Sequence, residues 1–576
     1  NGRNFEYMGE DPYLASKMVV PYIREVQKNG VAACVKHFAL NNQEIYRGHI
    51  NVQVDDRALH EIYLPAFKAA VHEGQAWAIM GSYNKYKGEH CCHNQYLLND
   101  LLKRDWGFDG VVVSDWGGVH DTKEAIFNGL DMEFGSWTNG LNWGQSNAYD
   151  NYYLAHPYLN LIKKGEVTEK ELNDKVRRIL RLVFRTNMAK ERHFGSFGTE
   201  EHALAGRTIA QQGIVLLQNK KNVLPVDASK VKRVLVVGEN AVKRMTVGGG
   251  SSSLKAKYEV SPLEGIKARL GDGAEVIYSP GYASPAVKEQ DVLGAEEPDK
   301  MEIDADALRN DAVKWAKDAD VVFFVGGLNK NDGQDCEGND RSSLSLPYEQ
   351  DQLIAELAKA NPNTVVVIIS GNAVAMPWVK QVPAIVEAWY SGTEAGNALA
   401  SILFGDVNPS GKLPFTFPAR LEDNGAHALG EHPGDSINVK YNESIFVGYR
   451  WADKQKKTKP LFAFGHGLSY TTFAYGKATA TKKSLTADET ITFSVPVKNT
   501  GSREGSEVVQ LYIGDKKSAL PRPIKELKGF SKVKLAPGEE KMVSFTIDKT
   551  DLSYYDDTQN RWVAEPGAFE AFVGDS

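Results

Sequence analysis

Four constellations in this chain have residue types and spacings that could do chemistry. Asp115 ends the run Gly110-Val111-Val112-Val113-Ser114-Asp115-Trp116. The apolar part reads as a strand buried on both faces, and such a strand finishes in a bare carboxylate where its end opens onto a site. A helix N-cap or turn aspartate is the plainer reading of the same residue. Glu337 lies in the polar loop Gln334-Asp335-Cys336-Glu337-Gly338-Asn339-Asp340-Arg341, which follows a strand-like run and the segment Gly326 to Asp332. Loops at the carboxyl ends of strands are where α/β sheets bind ligands, although a lone loop glutamate is more often solvated surface. Asp340 and Arg341 read as a structural pair, with Asp340 fixing the loop, and Glu337 has no obvious partner. His90-Cys91-Cys92-His93 offers zinc-ligating types. Adjacent residues project in different directions, whereas zinc ligands come as pairs separated by a short spacer, so no metal is expected. Val247-Gly248-Gly249-Gly250-Ser251-Ser252-Ser253 could cradle a phosphate, but it lacks the Lys-Ser/Thr of a P-loop, and Gly238-Glu239-Asn240 lacks the dinucleotide fingerprint. A tight turn or a flexible loop is the better reading there, and no cofactor is expected.

The elements that must position these residues fall into blocks. Up to about residue 195, short apolar runs alternate with amphipathic segments. Gly30 to Val35 leads to Lys36-His37, Ala76 to Met80 to Ser82-Tyr83-Asn84, Gly110 to Val113 to Asp115-Trp116, and Leu130-Asp131-Met132 to Glu133. Between them, Asp56 to Val71 and Gln95 to Trp106 carry apolar residues near a 3.6 period, with Pro65 expected to kink the first. Strands alternating with helices, each strand delivering polar residues at its end, predict a TIM-type (β/α)8 barrel over 1–195; an open doubly wound sheet is the runner-up. A whole barrel takes about 250 residues, so its opening strands are expected to be missing. After a helical linker over Thr199 to Gln212, β-rich runs at Val234 to Gly238, Val321 to Val325, Thr364 to Ile369 and Ala384 to Val386 predict an α/β sandwich with a mostly parallel sheet over 199–418. Residues 419–474 read as a long connecting segment packed on its neighbours. From 475 to 576 the apolar period becomes two, as in Ile491, Phe493, Val495 and Val497, which predicts a β-sandwich.

Composition narrows the function classes. The chain has 576 residues, 42% hydrophobic and 24% charged, with a formal net charge of -7. That balance gives no footprint for nucleic acid or an anionic membrane and suits a small neutral substrate. No apolar run approaches the ~18 to 20 residues of a transmembrane helix. Four cysteines do not make a disulfide scaffold. The opening residues are no signal peptide.

A family resemblance joins these pieces. Arg3-Asn4-Phe5-Glu6-Tyr7-Met8-Gly9-Glu10-Asp11-Pro12, Lys36-His37-Phe38, Trp106 to Trp116, Glu337-Gly338-Asn339-Asp340-Arg341 with Leu344, Leu346 and Pro347, Asn408 to Pro414, and Phe464 to Thr471 resemble, in order, the signature blocks of glycoside hydrolase family 3. The terminal sandwich resembles the fibronectin type III-like domain of many members. The resemblance implies a retaining exo-β-glycosidase, of β-glucosidase type, with Asp115 as nucleophile and Glu337 as acid/base on a second domain whose loop caps the barrel mouth. Retention needs two carboxyls about 5 to 5.5 Å apart, one ionised and one protonated, so Glu337 is expected to have a raised pKa and Asp115 not. The resemblance further implies that Arg3, Lys36 and His37 hydrogen-bond sugar hydroxyls and that Met80, Tyr83 and Trp116 shape the subsite, with Arg47 and Glu133 behind them. In this family the barrel begins upstream of Arg3 with a sugar-binding Asp that has no counterpart here. β-Xylosidase is the rival within the family, and a carbohydrate-binding or assembly protein the rival outside it. A periplasmic or secreted location is expected from the resemblance, and a homo-oligomer is left open.

Overall fold

The computed structural model describes residues 1–135, 149–186, 195–284, 304–331, 333–455 and 458–575. Positions 187–194, at the expected end of the first region, and Asp332 of the polar loop lie outside the described residues.

The first region contains β1 (Cys34–Phe38), β2 (Asn51–Gln53), β3 (Ala78–Gly81), β4 (Lys85–Tyr86), β5 (Glu89–His90) and β6 (Val111–Val113). β1, β3 and β6 are parallel and adjacent in that order, and Val113 adds an isolated parallel bridge to Met132. This is the arrangement of consecutive βα units of a (β/α)8-type barrel. Between β3 and β6 runs the helix Gln95–Asp105, opened by Asn94, whose side chain accepts from Leu97 N. Its Leu97, Leu98, Leu101 and Leu102, spaced three and four apart, pack against Phe38, Ile79 and Val112 of the strands. One local expectation is corrected and one is met. β1 begins at Cys34, so Lys36 and His37 lie within the strand; residues 31–33 are needed to return from the helix Pro12–Lys28. The stretch from Asp56 bends at Leu64, just before Pro65, as expected, and is divided there into Asp56–Ala58 with a π-type turn Leu59–Tyr63 and a helix Pro65–His72. Proline lacks the N–H that a continuing helix requires and suits a first turn instead.

The second sheet has six strands, β7 (Val215–Asn219), β8 (Arg233–Val237), β9 (Glu275–Ser279), β10 (Val321–Gly327), β11 (Thr364–Ile369) and β12 (Ala384–Glu387), in the order β7-β12-β11-β10-β8-β9. All pairs are parallel except β12 with β7. Alternate residues face two separate cores. Val234, Val236, Phe323 and Val325 meet Ile266 and Leu399, while Leu235, Val237, Val322 and Phe324 meet Ala312, Leu353 and Leu357. Helices therefore cover both faces, which is why the strands read as continuous apolar runs. β7 follows the helix Glu200–Gly213 with no turn residue after it, and β9 is a half-exposed edge, so neither gave a strand signal.

Beyond it, Phe473–Tyr475, Thr479–Ala480, Ile491–Asn499 and Glu540–Ile547 form one sheet and Gly505–Asp515, Glu526–Leu535 and Phe569–Gly574 a second. Their facing residues, Val495, Val497, Val509, Leu511 and Phe545 among them, make the core of a β-sandwich. The connecting segment ties the parts together. Asn438–Lys440 pairs in parallel with β2, and Arg450 is buried against Asp11 with Nη2 at 2.8 Å from Oδ2. Among the described residues no helix is long and apolar enough to cross a membrane.

Candidate active site

The carboxyl ends of β1 and β6 bring His37 and Asp115 together. Asp115 is buried; Oδ1 accepts from Trp116 N at 2.8 Å, and Oδ2 has no hydrogen-bond partner among the described residues. His37 Nε2 stands 3.4 Å from that Oδ2, and its Nδ1 lies 2.8 Å from the Tyr7 hydroxyl. Burial, followed by the charges of Arg3, Lys36 and Arg47, holds the His37 pKa down to about 2, so the ring is neutral. With its one proton on Nε2 facing the carboxylate, Nδ1 accepts from Tyr7.

Glu337 reaches the same place from the loop beyond β10. Oε1 accepts from Arg47 Nη2 at 2.8 Å and Arg3 Nη1 at 3.3 Å, and Oε2 accepts from Ser251 N at 2.7 Å. The glycine-rich stretch is thus a wall of this site. Gly250 has φ +100°, and a Cβ there would lie 2.3 Å from Glu337 Cβ, so only glycine admits the approach that lets Ser251 N–H reach the carboxylate. Arg3 is almost wholly buried and also grips Glu6 through Nε and Nη2 at 2.7 and 2.8 Å; Lys36 Nζ lies 3.3 Å from the same glutamate.

The electrostatics reverse the expected order of the two carboxyls. Burial raises the Asp115 pKa, only partly opposed by Trp116 N–H, the Tyr83 hydroxyl and the charges of Arg3 and Arg47. Burial would raise Glu337 as well, but Ser251, Arg3 and Arg47 outweigh it and hold that carboxyl at about 2. The sequence shows a glutamate without partners; three distant segments supply them.

The remaining candidates divide. Tyr83 donates to Trp116 O at 2.9 Å and carries the Arg47 guanidinium 4.7 Å from its ring centre. Trp116 is 55% exposed and stacks on Phe134 at 5.1 Å, which removes the core-packing reading and leaves an open aromatic face beside Asp115. Met80 is opposite Val113 in the sheet register. Arg47, expected in an outer position, touches Glu337 directly. Glu133 instead accepts from Tyr153 N and Leu154 N at 3.1 and 2.7 Å and holds backbone. Asp340 and Arg341 are not paired: Asp340 Oδ2 accepts from Glu44 N and Ile45 N, while Arg341 donates to Ala373 O and Ser345 O. Glu6, Tyr7, Glu44 and Ser251 were not singled out from sequence; for Glu6 the signal was its position three residues after Arg3, one 3₁₀ turn away.

Residues 1–182 match the Glycosyl hydrolase family 3 N terminal domain, 214–470 the Glycosyl hydrolase family 3 C-terminal domain and 507–576 the Fibronectin type III-like domain. The chain belongs to glycoside hydrolase family 3. It is 55% identical to Beta-glucosidase BoGH3A of Bacteroides ovatus, over all of this chain and 77% of that relative. It is 35% identical to an Exo-alpha-(1->6)-L-arabinopyranosidase of Bifidobacterium breve, over all of this chain and 72% of the relative. Its fold is similar to that of DesR, a beta-glucosidase from Streptomyces venezuelae solved in complex with D-glucose, with a TM-score of 0.90 at 31% identity, covering all of this chain and 84% of that one. Membership makes the protein a glycoside hydrolase with a carbohydrate substrate.

Proposed function

We propose that this family 3 enzyme is a retaining exo-β-glucosidase in which Asp115 is the nucleophile and Glu337 the acid/base. The observation that carries the reading is a carboxyl from each of two sheets at one site: Arg3 and Arg47 hydrogen-bond Glu337, and Tyr83, on whose ring Arg47 sits, and His37 lie beside Asp115. In the first step Asp115 Oδ2 bonds to the anomeric carbon as the glycosidic C–O bond breaks, and Glu337 gives its proton to the departing oxygen. In the second, Glu337 takes a proton from water, the water oxygen bonds to the anomeric carbon, and the Asp115 ester breaks with net retention. Asp115 suits the first role because Oδ1 is held by Trp116 N–H while Oδ2 faces the neutral His37 ring at 3.4 Å. Arg3, Lys36, His37 and Arg47 offer the polar groups for sugar hydroxyls, and the exposed face of Trp116 offers an apolar platform beside them.

Glu337 must be protonated when it acts first. In the structure it is an anion because Ser251 and the guanidinium groups of Arg3 and Arg47 hold it. A sugar that takes the guanidinium donors for its hydroxyls leaves the carboxyl with the Ser251 N–H as its remaining donor against the cost of burial, which moves the pKa back up.

A panel of aryl β-glucosides, β-xylosides and α-L-arabinopyranosides tests the sugar and the roles together. The pentopyranosides belong in it because the arabinopyranosidase relative spans the whole chain. Glucosides should be turned over fastest. Asp115→Asn should lose at least about 10³-fold in kcat. Glu337→Gln should spare activated leaving groups and regain turnover with azide. An Asp115→Asn protein within a few-fold of the unsubstituted enzyme would remove the assignment.

A further inference from the structure

The loop carrying Glu337 is anchored twice, by different sheets. At its root, Asp335 Oδ2 accepts from Gly371 N at 2.7 Å and from the Tyr390 hydroxyl at 2.8 Å, both on the second sheet's side. At its tip, the partners come from the opposite domain. Gly2 N donates to Asn339 O at 3.0 Å, and Asp340 Oδ2 accepts from Glu44 N and Ile45 N at 2.9 and 3.0 Å, with His432 Nε2 3.5 Å from the same oxygen. The contact is returned. Glu44 Oε2 accepts from Gly338 N at 2.8 Å and from Arg47 Nη1 at 2.7 Å, while the other arm of Arg47 holds Glu337. Gly338 has φ +97°, the left-handed region that favours glycine, and this turn aims its N–H at Glu44 while the side chain of the preceding residue points at Arg47.

We infer that Glu44 and Asp340 form a reciprocal latch across the two domains, and that Glu44 is the positioning residue that ties the place of Glu337 to that of Arg47. The inference deepens the acid/base reading of Glu337 and rests on it. Glu44, Arg47, Glu337 and the Gly338 amide close a ring in which every link is a charge-assisted hydrogen bond or a covalent bond. Glu44 is buried, so water does not readily replace it as the acceptor for Gly338 N–H. Removing its carboxylate frees the loop tip on one side and Arg47 on the other. These two consequences are separable. A displaced Arg47 weakens every glucoside equally, because all present the same sugar. A displaced Glu337 harms only those whose leaving group needs a proton.

The experiment is kcat/KM for phenyl and 2,4-dinitrophenyl β-glucosides with the full chain and with Glu44→Ala, Asp340→Asn and Glu337→Gln. With Glu44→Ala the phenyl glucoside should lose about 10- to 100-fold more than the dinitrophenyl glucoside. Asp340→Asn, which keeps an oxygen for the two N–H groups but removes the charge that strengthens both bonds, should show the same split more weakly, and decides the matter if Glu44→Ala does not fold. Equal losses for both leaving groups, or no loss, overturn the latch while leaving Glu337 in its role. Should Glu337→Gln itself show no split, the acid/base reading fails and the latch falls with it.

Discussion

Occupying the site with sugar should draw a proton onto Glu337. In the free enzyme its carboxyl stands at about 2 against an ordinary 4.5. At about pH 5 roughly one site in a thousand is then protonated. The perturbation is binding of glucose, whose hydroxyls compete for the Arg3 and Arg47 donors that now lie 3.3 and 2.8 Å from Oε1. If losing those donors restores the ordinary value, about a quarter of sites are protonated at that pH; burial raises that fraction and the Ser251 N–H that remains lowers it. The whole shift corresponds to roughly 3 kcal/mol of lost preference for the anion. The sign follows from linkage. The depressed carboxyl stabilises the free, guanidinium-bound form above its pKa, and that advantage fades as pH falls towards about 2, so the sugar-bound form gains relative to the free form as pH drops. Glucose affinity should therefore tighten from pH 6 to 4. Calorimetry in two buffers of different ionisation enthalpy should register an uptake of about 0.2 to 0.6 proton per glucose at about pH 5. Asp115→Asn should keep the uptake and Glu337→Gln should abolish it. A binding enthalpy identical in both buffers, with glucose demonstrably bound, would refute the reasoning, as would an undiminished uptake in Glu337→Gln.

Other outcomes follow from single contacts. Gly250→Ala places a methyl 2.3 Å from Glu337 Cβ at a positive φ, at about 1–3 kcal/mol of local strain, so kcat/KM should fall at least about tenfold when assayed beside a thermal melt. Trp116→Ala removes an exposed ring; KM for aryl glucosides should rise about 2- to 10-fold, with stability changed by no more than about 0.5 kcal/mol. Asp11→Ala strands the buried Arg450 guanidinium, and denaturant melts of the full chain should show a loss of about 3–5 kcal/mol in the transition that includes this interface.

Much of the architecture was legible in residue order because burial on both faces leaves long apolar runs. Val111 to Val113, Val321 to Val325 and Thr364 to Ile369 are strands for that reason. Val215 to Asn219 was not legible because it continues straight from a helix, and Glu275 to Ser279 because an exposed edge needs few apolar residues. The same division holds in the site. Asp115 could be found because a local pattern delivers it to a strand end. Glu337 was placed by family resemblance, and its electrostatic state could not be read at all. Its partners Arg3, Arg47 and Ser251 come from three segments that meet only through packing of two sheets. The Asp340-Arg341 pair failed for a related reason: neighbours in sequence on a tight loop point apart, and each finds a partner in a different direction.

That mixed provenance bears on how the site handles charge. Arg3, Lys36 and Arg47 face Glu6, Glu44, Asp115 and Glu337, with His37 neutral between them. The ligand-free cluster thus carries one more negative than positive charge. A neutral sugar does not change this balance, but the proton that accompanies it in the proposed mechanism does, by turning Glu337 into the acid. The cluster is then neutral, and Asp115 is its one carboxylate with no ion pair to Arg3, Lys36 or Arg47, placed in the proposed mechanism beside the carbon where positive charge grows in an oxocarbenium-like transition state. Glu6 pairs with Arg3 and Lys36 and Glu44 with Arg47, so those cations are engaged by carboxylates other than Asp115. On this argument the second sheet contributes more than an acid: by delivering Glu337 into a guanidinium pair held by the first, it makes protonation of the acid depend on the presence of the substrate.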